Sequence, residues 1–342
     1  MNKLLIPLLL LTIQSIKAQD VLFSQYNLAP LTINPALAGH FDGKYRANVL
    51  YRSQWANVGS TGAYTTPSAS IDANLFDDAV RGSFGAGLNI VNDQAAGGRF
   101  NTLSANAVAA YHFAIDPEEK KHFFSLGVQG GIINQSINMT DVTFASQFNG
   151  VDKIDSRNSS GETLDKNSLT IPDLSVGAAF SSYFGASNVR VGAAYKHLLG
   201  SSQNFYATSA INNTSAIVGH AELNYALGSF LSLHPSILYA QQTKVTTLQP
   251  QLQVGMHFNP TTAVYFGAGM RSSDAFIGML RVQMGGLQIG LAYDVNNSAL
   301  QTATRGQGAW EVGITFQGGT SSGAKGGSTP KVKAIIPPVR YY

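Results

Sequence analysis

Seven histidines, His40, His112, His122, His197, His220, His234 and His257, are the side chains best suited to acid–base or metal chemistry in this chain. Their spacing supports neither. No H-E-x-x-H pair sets two of them over a metal, and no G-x-S-x-G elbow presents a serine beside a base. A Ser–His pair assembled across neighbouring strands would leave no linear signature, because such a site is defined by geometry. The run Gly82-Ser83-Phe84-Gly85-Ala86-Gly87 lacks the Lys-Ser/Thr and the helix of a phosphate loop. Small residues on a crowded sheet face account for it better. Asp141, Asp152, Asp155, Glu162 and Asp165 do not have the spacing of an EF-hand. They read as a solvated loop, long enough to be an extracellular contact or a lid. No catalytic residue, cofactor ligand or metal ligand is assigned.

A second set of polar residues has a clearer pattern. Arg190, Lys196, Arg271, Arg281, Asp294 and Glu311 each stand in an alternating segment, opposite a face of large apolar residues. In 287–295, Leu287, Ile289, Leu291, Tyr293 and Val295 alternate with Gln288, Gly290, Ala292 and Asp294. In 308–316, Trp310, Val312, Ile314 and Phe316 alternate with Glu311, Gly313 and Thr315. Side chains in a strand point to opposite faces with period two. A sheet with lipid outside and a polar lumen inside needs this pattern. The six charged residues are thus lumen candidates, placed to set ion selectivity, to pair with one another or to hold a plug.

The elements that would position them repeat along the chain. Fourteen strand candidates lie near 45–54, 64–74, 82–91, 99–113, 121–135, 172–184, 187–197, 214–227, 230–240, 246–258, 262–272, 276–284, 287–295 and 308–316. Most approach the ~9–11 residues of a tilted transmembrane strand. Their connections alternate in length. Gly185-Ala186, Gly228-Ser229, Asn259-Pro260-Thr261 and Gly285-Gly286 are tight turns, while 136–171, 198–213 and 296–307 are long. Outer-membrane barrels have short periplasmic turns and longer outside loops. Leu75–Arg81 and Ala114–Lys120 are medium-length exceptions on the short side. A soluble barrel or sandwich would turn its apolar face inward and show Lys and Glu outside, which fits less well.

Composition agrees. Charged residues make up 12% of the 342-residue chain, against roughly 25% in soluble domains. Glycine numbers 35, and there are 18 Phe and 14 Tyr, yet no apolar run beyond the N-terminus is long enough for a transmembrane helix. The net charge is +3, and no basic stripe with interleaved aromatics argues for nucleic acid. Without cysteine there is no disulfide, thiolate metal site or lipidated N-terminal Cys.

Lys3, the apolar stretch Leu4–Ile13 and Ser15-Ile16-Lys17-Ala18 predict a signal peptide over 1–18. Residues 19–44 hold Pro30 and Pro35 and no clean period. Too apolar for a linker and too irregular for a strand, they are expected to plug the lumen or pack at its periplasmic mouth. The expected barrel is 45–316. The Gly/Ser-rich residues after Phe316 and the basic end to Tyr342 form an expected flexible periplasmic tail over 317–342, either a disordered end or a docking segment.

Several stretches resemble the PorP/SprF family of outer-membrane proteins of the type IX secretion system of Bacteroidetes. They are Ser24-Gln25-Tyr26 after Phe23, Asn34-Pro35-Ala36, Gly39 after Ala38, Tyr51-Arg52 after Leu50, and Gln54-Trp55. Weaker matches are Ile171-Pro172-Asp173, Lys196-His197-Leu198-Leu199, His234-Pro235-Ser236, Leu248-Gln249 and Ile289-Gly290-Leu291-Ala292-Tyr293-Asp294. The resemblance implies an all-β transmembrane antiparallel barrel, non-enzymatic and without a cofactor. It implies a role in export or surface attachment of a secreted surface protein such as an adhesin, with links to gliding motility. Periplasmic secretion or motor components are the other implied partners. A channel for small or hydrophobic solutes needs the same barrel and is the alternative.

Overall fold

Alternating strands that expose one apolar face cannot remain an open sheet in lipid, because an unpaired edge has no water to bond. In the computed structural model the sheet closes. The structure describes residues 20–56, 63–78, 82–117, 119, 121–138, 166–200, 202–206, 209–212 and 215–319. The expected signal peptide, the acidic loop residues, most of 136–171 and nearly all of the expected tail lie outside these residues.

The first strands are β1 (Tyr45–Gln54), β2 (Tyr64–Asp78), β3 (Gly82–Ala95), β4 (Phe100–Ala114), β5 (His122–Ile137), β6 (Ser168–Phe184) and β7 (Ser187–Lys196). A hairpin follows, β8 (Ser202–Tyr206) and β9 (Ser209–Asn212). The barrel resumes with β10 (Ala216–Leu227), β11 (Leu231–Gln242), β12 (Val245–Asn259), β13 (Thr262–Arg271), β14 (Ala275–Met284), β15 (Leu287–Asn296) and β16 (Gln307–Gly318). Each barrel strand pairs with its neighbours in sequence, β7 pairs with β10, and β1 closes on β16 from Tyr45↔Gly318 to Gln54↔Ala309. The fourteen-stranded antiparallel barrel is the expected architecture. The β8–β9 hairpin, a separate two-stranded sheet inside the expected 198–213 loop, is an addition to it. Its Gly- and Pro-free sequence gave no turn to read.

The connections fall into two sets. At the end holding Tyr45 and Gly318 they are short: 79–81, 185–186, 228–230, 260–261 and 285–286, with 115–121 somewhat longer. At the other end lie the long connections 55–63, 138–167, 197–215 and 297–306, beside the short turns 96–99, 243–244 and 272–274. The first end is therefore periplasmic and the second faces out. Strand β2 continues to Asp78, so the expected medium turn there shortens to 79–81.

The outer face is apolar, with Val49, Ile71, Leu88, Leu126, Val191, Phe266 and Leu291 exposed. Aromatic rings gather near both rims. Tyr51 stacks against Trp310 at 5.3 Å on the outward side, and Tyr45 lies 6.1 Å from Phe316 on the periplasmic side. Such girdles mark the two interfaces of a bilayer.

Candidate functional site

The lumen is occupied by the chain itself. Residues 20–44 enter from the periplasmic rim, where Lys44 N donates to Gly318 O, and run to the outward mouth at Asp20. Two prolines cap short helical turns in this run, Pro30–Ile33 and Pro35–Leu37, whose first positions need no N–H donor. Phe23, Tyr26, Leu28, Leu31, Ile33 and Leu37 are buried on the wall. The wall responds in kind. Leu50 packs with Phe23 and Leu28, and Val218 and Leu238 pack with Tyr26 and Ile33. These are inward positions where polar residues were expected. An apolar segment fills the lumen there instead of water, so apolar side chains win.

Backbone contact requires glycine. Gly39 takes φ +73°, and a Cβ on it would fall 2.5 Å from Gly85 Cα. A Cβ on Gly85 would fall 2.1 Å from Ala38 O. Gly85, in the glycine run of β3, is therefore a seat for the segment.

Charged groups clamp the outer part of the segment. Ser24 Oγ donates to Asp294 at 2.7 Å and accepts from Arg52 Nη1 at 2.9 Å and Arg271 Nη2 at 2.6 Å. That uses its one proton and both lone pairs. Glu311 accepts from Ser24 N at 2.6 Å and Gln25 N at 2.9 Å. Arg52 also bridges Glu311 at 2.5 Å and Asp294 at 3.0 Å, while Arg271 bridges Asp294 at 3.1 Å and Asp274 at 2.7 Å. Gln249 and Gln251 donate to Ser24 O at 3.2 and 2.5 Å. Two buried guanidinium groups and two buried carboxylates thus surround two backbone N–H groups and a hydroxyl, with half-buried Asp274 as a third carboxylate at the edge. Ser24 Oγ is fully buried and spends its hydrogen-bonding capacity inside the cluster, which therefore binds the segment to the wall.

Further in, Tyr26 donates to Ser236 Oγ at 2.8 Å. Asn34 donates to Ala178 O at 3.0 Å and accepts from Ala36 N at 2.9 Å. His112 Nε2 donates to Ala38 O at 2.8 Å, which leaves Nδ1 to accept from Ser125 at 2.7 Å. Asp72 accepts from Gly39 N at 2.7 Å and pairs with Arg46 at 2.7 Å.

At the mouth, the Asp20 carboxylate meets Lys196 and lies 2.9 Å from His197 Nε2. His197 Nδ1 lies 2.8 Å from Asp173, just past the end of β7. Burial opposes the His197 charge, but the bonds to Asp173 and Asp20 raise its pKa to about 9. Burial likewise opposes the Asp20 charge, and Lys196 and His197 outweigh it, holding the carboxyl well below the usual range.

The sequence-derived residues therefore fall into groups. Ser24, Gln25, Tyr26, Asn34, Pro35, Ala36 and Gly39 are in the segment and Arg52 is its wall partner. Arg271, Asp294 and Glu311 join the clamp, and Lys196 the mouth. Arg190 pairs with Glu222 at 2.6 Å, and Arg281 stacks 4.1 Å over the Tyr265 ring, both inside the barrel. Tyr51 faces outward, Gln54 pairs with Ala309 at the strand end, and Trp55 packs edge-on to Tyr64. Arg46, Asp72 and Asp20 escaped sequence reasoning, and His112 and Gln249 were named without these contacts, because their partners lie tens to hundreds of residues away. Among the described residues no three His, Asp or Glu side chains are grouped to ligate a metal.

A family model described as type IX secretion system membrane protein PorP/SprF matches residues 15–316. No curated protein matches the chain. Solved barrels resemble it in fold. The toluene transporter TbuX of Ralstonia pickettii is 13% identical over 84% of this chain and 93% of that one, with TM-score 0.47. The monoaromatic hydrocarbon channel CymD is 8% identical over 86% and 94%, with TM-score 0.48. The autotransporter NalP translocator domain of Neisseria meningitidis is 11% identical over 81% and 90%, with TM-score 0.41.

Proposed function

The chain belongs to the PorP/SprF family of type IX secretion system membrane proteins and resides in the outer membrane, and from that premise we propose that it works by binding. It is a partner or anchor that assists export or surface attachment of a secreted surface protein, without catalysis. The observation that carries this reading is the filled lumen. Residues 20–44 occupy it from rim to mouth, and Arg52, Arg271, Asp294 and Glu311 clamp them. A rigid filled barrel suits a docking platform, whose bound partner meets preformed surface at the outward mouth.

A channel for small or hydrophobic solutes is the second reading. A small apolar cavity beside the segment, lined by Leu22, Tyr26, Ile33, Val218 and Leu238, favours it. Passage would require the clamp to open. Purification in mild detergent from the native outer membrane separates the two. A large surface protein or secretion-machine subunits in stoichiometric amount support anchoring. A barrel that emerges alone and conducts ions supports the channel.

A further inference from the structure

A second, wider cavity, open to solvent, lies between the segment and the wall of β3–β6. Its wall is formed by residues from the outward halves of these strands, with Val21, Phe23 and Thr32 of the segment on the opposite side. It opens at the outward mouth beside Lys196 and His197. The wall stands tall here, since Ser168–Ser175 of β6 extend beyond its pairing with β7 at Val176.

The lining is not that of the rest of the lumen. Asn89, Gln129 and Gln135 turn carboxamides into the cavity, with Thr102 and Ser104 between them. Asn89 is only 3% exposed, and its Oδ1 has no partner among the described residues. A buried amide oxygen left unpaired is costly, so it marks a place where a donor belongs. Asp93 accepts from Thr66 Oγ1 at 2.7 Å and has no ion-pair partner among the described residues. Its neighbours Asp20 and Asp173 are both paired already, with Lys196 and His197.

Carboxamides offer one donor face and one acceptor face each, the complement of a peptide group. A free carboxylate adds a preference for a cation. A saccharide is a poorer fit, because Phe23 and His197, the aromatic rings of the lining, are 2% and 6% exposed and offer no face for stacking. We propose that this vestibule receives an extended stretch of polypeptide with a Lys or Arg side chain at Asp93, contributed by the surface protein that the barrel holds. This rests on the anchoring reading above.

The chain has no cysteine, so a single Thr102→Cys barrel can be folded first and then blocked with a maleimide–polyethylene glycol. The partner that co-purifies with the wild-type barrel is then titrated against it, beside a barrel blocked at Ser229→Cys on the exposed periplasmic β10–β11 turn. An Asp93→Asn barrel is titrated without any label. Blocking at Thr102 should weaken binding at least ten-fold, Asp93→Asn about ten-fold, and blocking at Ser229 should leave it unchanged. Wild-type affinity in the blocked Thr102→Cys or the Asp93→Asn barrel overturns the vestibule while leaving the anchor standing. A wild-type barrel that brings no partner at all overturns both.

Discussion

Arg52 Nη1 donates to Ser24 Oγ at 2.9 Å, joining the first strand of the wall to the segment inside it. The two residues are 28 apart in sequence and both lie in stretches that carry the family resemblance. Their contact explains why Ser24-Gln25-Tyr26 and Tyr51-Arg52 belong together: one is the bolt and the other part of its keeper. Three further wall strands, β13, β15 and β16, supply Arg271, Asp294 and Glu311 to the same point.

Removing one charge from this cluster leaves others buried without a partner. Arg52→Met should cost about 3–5 kcal/mol. The check is the detergent unfolding midpoint. Replacing Asn48, whose partners Ser70 and Thr315 are neutral, by Ala should cost far less; equal losses would show that the clamp carries no special weight.

Gly85→Val should push the segment off its seat, because the added Cβ would lie 2.1 Å from Ala38 O. Overpacking of this kind costs about 1–3 kcal/mol. At Gly219 the nearest heavy atom to an added Cβ is 3.8 Å away, so Gly219→Ala should be neutral. Limited proteolysis in the 20–44 region reads the displacement: faster cleavage in Gly85→Val and wild-type cleavage in Gly219→Ala.

The mouth should be sensitive to alkali. His197 has its folded pKa raised to about 9 from an ordinary 6.5. Its contribution is complete below about pH 6.5 and is lost as pH rises through about 9. Asp20 is shifted the other way, so its contribution is present above the ordinary carboxylate pKa of 3.8 and fades only in acid well below it. Between pH 7.5 and 9.5 the wild-type unfolding midpoint should fall more steeply than that of His197→Gln. Parallel slopes would remove His197 from the account.

Face assignment is open to a direct comparison. Leu291 points to lipid and is 46% exposed, whereas its neighbour Ala292 is buried inside. Leu291→Arg should destabilise the barrel in lipid by about 2–4 kcal/mol. Arg at Gln288, on the lumen side near the rim, should be tolerated. Folding yields into vesicles measure both, and a tolerated Leu291→Arg would mean the faces are reversed.

The barrel was legible because one physical rule, apolar out and polar in, repeats in every strand. Register and strand ends followed closely where Gly, Asn or Pro punctuated the turns, as at Gly285-Gly286. Legibility failed where the lumen departs from water. Leu50, Val218 and Leu238 face inward against the segment, and an alternation template reads them as noise. The path of residues 20–44 has no periodicity of its own, since its conformation is dictated by wall contacts such as Gly85 and His112. Asp294 and Glu311 are legible as charges on strands, and Arg52 as part of the family resemblance. Their convergence on Ser24 depends on closure of β1 on β16, which no local pattern encodes.

The central claim is that the barrel is filled by its own segment and acts by binding. Planar-bilayer recording of the purified wild-type protein tests it most directly, beside an Arg52→Met, Arg271→Met double variant with its clamp removed. The account predicts a wild-type barrel without steady open conductance and a variant that shows frequent openings. A wild-type barrel with a large, steady conductance would contradict it and return the solute channel as the better reading.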